Sequence, residues 1–171
     1  MGCVGERKVR NQEQWKTCGI GEGYLKCSGF RKYGFKCEEL TSKEDQKLRG
    51  DFVLEDECGN LFNAEVKTEN NMPPNLPVEV WQCVNKREPG WIQYNKLGDL
   101  MFYVRLKDNK VNEVWMIDFH WLRRVYQDFG QHHWRLRHSS KGYGKTEFRA
   151  CPLGPNYHWM QLVDSDRLAP V

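Results

Sequence analysis

No stretch of the sequence holds the roughly 20 consecutive apolar residues that a membrane-spanning helix needs. Nothing at its start has the order of a secretory signal. The expectation is a cytoplasmic protein with no membrane partner. Cys-x-x-Cys is also missing. Seven cysteines stand at irregular intervals, at 3, 18, 27, 37, 58, 83 and 151. The odd count and uneven spacing speak against a disulfide framework or a four-thiolate zinc site, and for reduced thiols. Met1-Gly2-Cys3 approaches an acylation signal, but Glu6 stands where that signal carries Ser or Thr. His120, His132, His133, His138 and His158 lack zinc-protease or zinc-finger spacing, and on a strand His132 and His133 point to opposite faces. The Gly- and Lys-rich run 139–145 lacks the closing Gly-Lys-Ser/Thr of a phosphate loop and reads as a hairpin loop. Internal repeats and low-complexity segments are absent. So is a strong charge bias: the formal net charge of +3 is compatible with an anionic partner without requiring one.

What the chain does have is enough apolar material for one folded domain. It has 171 residues, 39% of them hydrophobic, with seven Trp, seven Tyr and eight Phe. Burying those rings offsets ordering entropy without staples. Residues 1–50 read as a helical part, with one or two short helices broken at Gly19, Gly21, Gly29 and Gly34. Residues 51–130 form the core. Asp51–Glu55 and Leu61–Thr68 alternate as two strands joined by the turn Cys58-Gly59-Asn60. Asn70–Pro77, with three prolines, reads as a loop, and Val78–Val84 as a strand. Leu100–Leu106 and Val111–Ile117 form a second hairpin. Asp118 then caps a helix carrying Phe119, Leu122, Tyr126 and Phe129, which Gly130 ends. Residues 131–171 hold short strands, including Trp134–His138, Thr146–Cys151 and Trp159–Val163. This order predicts an α/β (α+β) fold with a central mixed sheet flanked by helices.

One constellation carries chemistry. On the strand Leu61–Thr68, Phe62, Ala64 and Val66 share the core face, while Asn63, Glu65 and Lys67 share the other. Across the hairpin, Asp51 lies on the face opposite to Phe52 and Leu54, and the natural register brings it toward Glu65. Two carboxylates converging beside an amine suit phosphodiester hydrolysis with a divalent cation. Mg²⁺ takes one or two carboxylates plus water, and the main-chain carbonyl of Val66 can add a ligand. Lys67 can orient the attacking water and neutralise the phosphate. The alternative is an ordinary solvent-facing strand whose Glu–Lys pair contributes about 0–1 kcal/mol.

Gly50-Asp51, thirteen intervening residues and Glu65-Val66-Lys67 resemble the signature of the PD-(D/E)xK nuclease superfamily, in particular its small phage-type and restriction-endonuclease-like members. The resemblance covers roughly residues 45–130. It implies Asp51 and Glu65 as metal ligands, Lys67 as the catalytic lysine, Glu79 as a further acidic residue, Mg²⁺ (with Mn²⁺ as substitute) as cofactor, and DNA as substrate, cut as an endonuclease. Many such proteins act as homodimers. Gly90–Asp99 with Tyr103 is similar to a segment in which a glycine precedes a helix carrying an Ala-Asp-aromatic motif. Three departures stand out. Gly50 replaces a proline, Gly98 replaces an alanine, and the acidic residue of an N-terminal helix has three candidates, Glu13, Glu22 and Glu39.

Basic residues for the nucleic-acid backbone are Lys86, Arg87, Lys96, Arg123, Arg124, Arg135, Arg137, Lys141 and Lys145, with Trp121, Tyr126 and Trp134 as candidate stacking surfaces. Two rival functions remain open at this point. One is a nucleic-acid-binding module on the same fold that does not cut. The other is a protein-interaction or regulatory domain.

Overall fold

The computed structural model describes residues 16–70, 74–94, 97–141, 144–154 and 156–165. Helix α1 starts at 16–24, widens into a π turn over Leu25–Gly29 and ends at Phe30–Lys32. It runs through Gly19, Gly21 and Gly29 instead of breaking at them. At Gly21 the reason is tertiary, because a Cβ there would strike the Thr68 side chain; at Gly29 it is local, because a Cβ would meet Leu25 Cδ2, one turn earlier in the helix, at 2.9 Å. At Gly21 the small residue lets α1 lie down on the strand that carries Thr68. Gly34, at φ +86°, does end the helical segment.

Strand β1 (Lys36–Glu39) follows, exposed along its length. Helix α2 (Lys43–Arg49) is capped by Ser42, whose hydroxyl accepts the Asp45 N–H. Strands β2 (Phe52–Glu55) and β3 (Leu61–Glu69) form the expected hairpin. Its turn is held by the Asp56 carboxylate, which accepts the N–H groups of Cys58 and Asn60. Strand β4 (Asn75–Cys83) begins earlier than expected and includes Pro77, assigned above to a loop. Proline is tolerated there because β5 (Glu88–Pro89) pairs only with Trp81 and Cys83, so β4 is an edge at Pro77. The short helix α3 (Trp91–Tyr94) leads to β6 (Leu100–Lys107) and β7 (Lys110–Asp118), a hairpin closed by Asp108 and Asn109 at φ 52° and 59°.

The Asp118 side chain then caps α4 through the Trp121 N–H, as expected. Helix α4 runs Phe119–Val125, a π turn Tyr126–Gly130 and a last turn Gln131–His133. Gly130 therefore does not stop it. A Cβ there would meet the Trp134 ring at 2.6 Å, so the glycine is a contact residue. His132 and His133 consequently lie in a helical turn, not on a strand. Strands β8 (Arg135–Lys141), β9 (Gly144–Pro152) and β10 (Met160–Ser165) complete the chain.

The fold is mixed α/β with two sheets rather than one. Six strands run in the order β1-β2-β3-β6-β7-β10, and four in the order β5-β4-β9-β8. Only β3 and β6 pair in parallel within the first sheet. Their crossover carries β4, β5 and α3 outward to the second sheet. One face of the first sheet (Phe52, Leu54, Ala64, Val66, Phe102, Val104) packs on Leu25 and Phe30 of α1. Phe30 sits edge-on to Phe52 and Phe102, both at 5.1 Å, contacts that each add about 0.5–1.5 kcal/mol beyond area burial. The other face (Met101, Tyr103, Trp115, Ile117) packs on Leu76, Val78 and Cys151 of the second sheet and on Phe119 and Leu122 of α4. Among the described residues no helix is long and apolar enough to cross a membrane.

Candidate metal-binding catalytic site

The β2–β3 register ends with Phe52 opposite Ala64, and Asp51 is the residue just before it. The Asp51 N–H donates to the Ala64 carbonyl at 2.8 Å, and Asp51 Oδ2 accepts the Val66 N–H at 2.8 Å. Gly50 makes this approach possible. Its φ is +105°, and a Cβ would lie 2.5 Å from the Ala64 oxygen. Proline, locked near φ −65°, cannot take this conformation.

Glu65 and Lys67 extend from the same face of β3. Glu65 is only 6% exposed, and its carboxylate is ion-paired with the Lys67 ammonium. Burial raises the Asp51 carboxyl to about 7, and the neighbouring Glu65 charge pushes the same way; Lys67 and the Val66 N–H oppose them. Two buried acids in one place disfavour the doubly ionised state, and a divalent cation would relieve that repulsion. Within a strand the N–H and C=O of one residue point to the same edge. The Val66 carbonyl thus faces the edge occupied by Asp51. Among the described residues no group of three or more His, Cys, Asp or Glu is drawn together to hold a metal ion. The donor set here is two carboxylates and a carbonyl, which fits Mg²⁺ with water completing its shell.

Of the two described candidates for the N-terminal acid, Glu22 on α1 is the one whose charge acts on Asp51. Its own carboxyl is raised by burial, then by Glu39 and Glu65, with Lys67 opposing. Glu39, at the end of β1, is exposed and ion-paired with Lys26. Glu13 lies outside the described residues. Glu79 sits half-buried on β4, in the second sheet, between the buried Val78 and Val80.

Sequence reasoning missed a polar chain beside the acids. Arg49 Nε donates to Asn63 Oδ1 at 2.8 Å, and Asn63 shares the face of Glu65. The Asn63 N–H donates to Asp99 Oδ2 at 2.7 Å, and His120 Nε2 lies 3.0 Å from Asp99 Oδ1. Asp99 is thus a bridge between β3 and α4, placed just before β6. Asp99 lies outside α3, the short helix that follows Gly90, and Tyr103 is a buried strand residue.

The basic residues divide into two groups. The β4–β5 turn with Lys86 and Arg87 and the β8–β9 hairpin end with Lys141 and Lys145 occupy the same end of the second sheet, where Thr146 Oγ1 donates to the Gln82 carbonyl at 3.0 Å. Arg135 and Arg137 are exposed on the edge strand β8. On α4, Arg124 lies over the Trp121 ring at 5.3 Å, whereas Arg123 is half-buried over Phe119 at 4.0 Å. Trp121 is exposed, Tyr126 is half-buried, and Trp134 is 7% exposed, so Trp134 is a core residue and not a stacking surface. Lys96 and the acylation-like start lie outside the described residues. No protein-family model matches the chain, and no curated protein matches it.

Proposed function

We propose that the protein is a Mg²⁺-dependent nuclease of the PD-(D/E)xK type that hydrolyses phosphodiester bonds of DNA, acting as an endonuclease. The observation that carries this reading is the junction of Asp51 with β3, where its carboxylate accepts the N–H of Val66, the residue between the buried Glu65 and the Lys67 ion-paired with it. Asp51, Glu65 and the Val66 carbonyl would hold the cation, with Glu22 as the nearby acid from α1. When bound, Mg²⁺ supplies positive charge at the phosphate and at the leaving oxygen. Lys67 orients the attacking water and donates to a phosphate oxygen, where charge accumulates as the bond breaks. The basic ends of the second sheet grip the backbone. The six described cysteines are free thiols, in keeping with a reducing cytoplasm. A homodimer would present two sites to the two strands.

One observation favours a second reading. Lys67 is engaged by Glu65, an arrangement equally suited to a module that binds DNA without cutting it. Plasmid nicking with and without EDTA separates the two. The nuclease reading expects Mg²⁺- or Mn²⁺-dependent nicking that Lys67→Ala and Asp51→Asn lower by about 10²-fold or more. Equal nicking by wild type and Lys67→Ala would remove the reading.

A further inference from the structure

Between α3 and α4 the surface opens into a cavity of about 340 Å³ lined by Ile92, Gln93, Arg123, Tyr126 and Gln127. It lies on the same side of the six-stranded sheet as the acids. Glu65 and Lys67 pair with Met101 and Tyr103, and those two residues pack with Trp91, Ile92, Phe119 and Leu122 of the cavity's helices. We propose that this cavity is a subsite for one unpaired nucleotide of the strand to be cut. The inference rests on the nuclease reading for the identity of the polymer, but its chemistry stands on the cavity itself.

Size and lining both point to a single nucleotide. The volume is at the lower end of ligand pockets, roughly 300–1,000 Å³, and has no room for a stacked base pair. The lining carries one cation, no carboxylate, two amides and an aromatic ring. Arg123 is held in place by the Phe119 ring and by the Gly98 carbonyl, 3.5 Å from Nη1. A fixed guanidinium is suited to phosphate. Gln93 is anchored through its Nε2, which donates to the Val80 carbonyl at 2.8 Å. Gln127 stands exposed at the rim. Amides of this kind read the edge of a base, adenine above all. Tyr126 packs against the buried Trp134 at 6.2 Å, which stiffens its ring as a stacking face.

The cavity also connects to the cutting strand. Arg123 touches Gly98, the next residue Asp99 holds the Asn63 N–H, and Asn63 precedes Glu65 by two positions, roughly 7 Å along β3. A captured nucleotide would therefore be a near neighbour of the bond that is cleaved. A base inside a duplex cannot enter without leaving its stack, so the site selects DNA that is single-stranded, bulged or otherwise unpaired there.

The test is a binding measurement in EDTA, where no cleavage intervenes, using a short single-stranded oligonucleotide with one 2-aminopurine and a matched duplex of the same sequence. Wild type is expected to change the aminopurine fluorescence and to prefer the single strand by about tenfold or more. Arg123→Gln and Gln127→Leu should each weaken that binding about tenfold. Because Gln127 is exposed, its exchange keeps the result readable if Arg123→Gln fails to fold. Wild-type affinity in a folded Gln127→Leu, or no aminopurine signal, overturns the subsite. Cleavage is assayed in parallel to keep the two ideas apart. A signal that follows Gln127 in a protein that never cuts supports the pocket and removes the nuclease. Cutting abolished by Lys67→Ala without any aminopurine signal does the reverse.

Discussion

The carboxylate of Asp51 accepts the main-chain N–H of Val66 at 2.8 Å, and this bond stitches the entry of β2 to the middle of β3 just beyond the last residue pair the two strands share. It places one acid at the edge that another acid, Glu65, already occupies. The energetic consequence is a carboxyl that resists ionisation: burial, then the Glu65 charge, lifts Asp51 from 3.8 to about 7.

That shift sets a pH dependence for the metal-free protein. A carboxyl with a raised folded-state pKa retains a proton that the unfolded chain releases, so the fold is favoured below about pH 4 and loses that contribution as pH rises through about 7. In EDTA, Tm should fall across this window in wild type, and less steeply in Asp51→Asn, which keeps an acceptor for the Val66 N–H. Adding Mn²⁺ above pH 7 should recover Tm in wild type only. Parallel Tm–pH curves for the two proteins would contradict the assignment.

Gly50 is the second point of strain. At φ +105°, with the Ala64 carbonyl 2.5 Å from where a Cβ would stand, alanine must distort either the α2 exit or the hairpin. Gly50→Ala should cost about 1–3 kcal/mol, and Gly50→Pro at least as much, although proline stands here in the motif the sequence resembles. Urea midpoints at constant slope would measure it. A neutral Gly50→Pro would mean the turn is built differently.

These two residues also show what could be read in advance. The β2–β3 hairpin was legible because Phe52, Leu54, Phe62, Ala64 and Val66 alternate with polar residues, and that alternation carries Glu65 and Lys67 to one face. Helix α1 was not, because glycine was weighed by its propensity, whereas Gly21 is set by a contact with Thr68 that only the tertiary fold creates. Without the course of α1, Glu22 could not be singled out from Glu13 and Glu39. Strand β1 has no apolar alternation at all, since every residue of Lys36–Glu39 is exposed. The β3–β6 pairing depends on a crossover that no local pattern encodes, and with it went the division into two sheets and the position of Asp99.

Glu22 yields a prediction with opposite signs in two measurements. It is a half-buried acid whose carboxyl is raised first by burial and then by Glu39 and Glu65. Glu22→Gln removes a like charge, so the metal-free protein should gain Tm. The same change removes negative potential from the proposed cation site, so on the nuclease reading the Mn²⁺ concentration giving half-maximal nicking should rise severalfold. A variant that is stabilised but unchanged in metal requirement would leave Glu22 as a structural neighbour only.

The buried ion pair Arg105–Glu113 joins β6 to β7 and offers a stability test that needs neither metal nor DNA. Arg105 is 9% exposed and Glu113 6%, the two stand opposite each other in the register, and Trp115 Nε1 also donates to Glu113 Oε2 at 3.2 Å. Removing the acid alone strands a guanidinium and an indole N–H in the interior, so Glu113→Ala should cost about 3–5 kcal/mol. Replacing both ions by apolar residues removes the charge that must be kept out of water. Arg105→Met with Glu113→Leu should therefore recover much of the loss, although the Trp115 N–H still forfeits its acceptor, a deficit of about 1–3 kcal/mol. Urea unfolding of the two single variants and the double variant completes the cycle. Additive losses would mean that the pair is not coupled. A double variant more stable than either single one would show that what destabilises the single variants is the partner left unpaired.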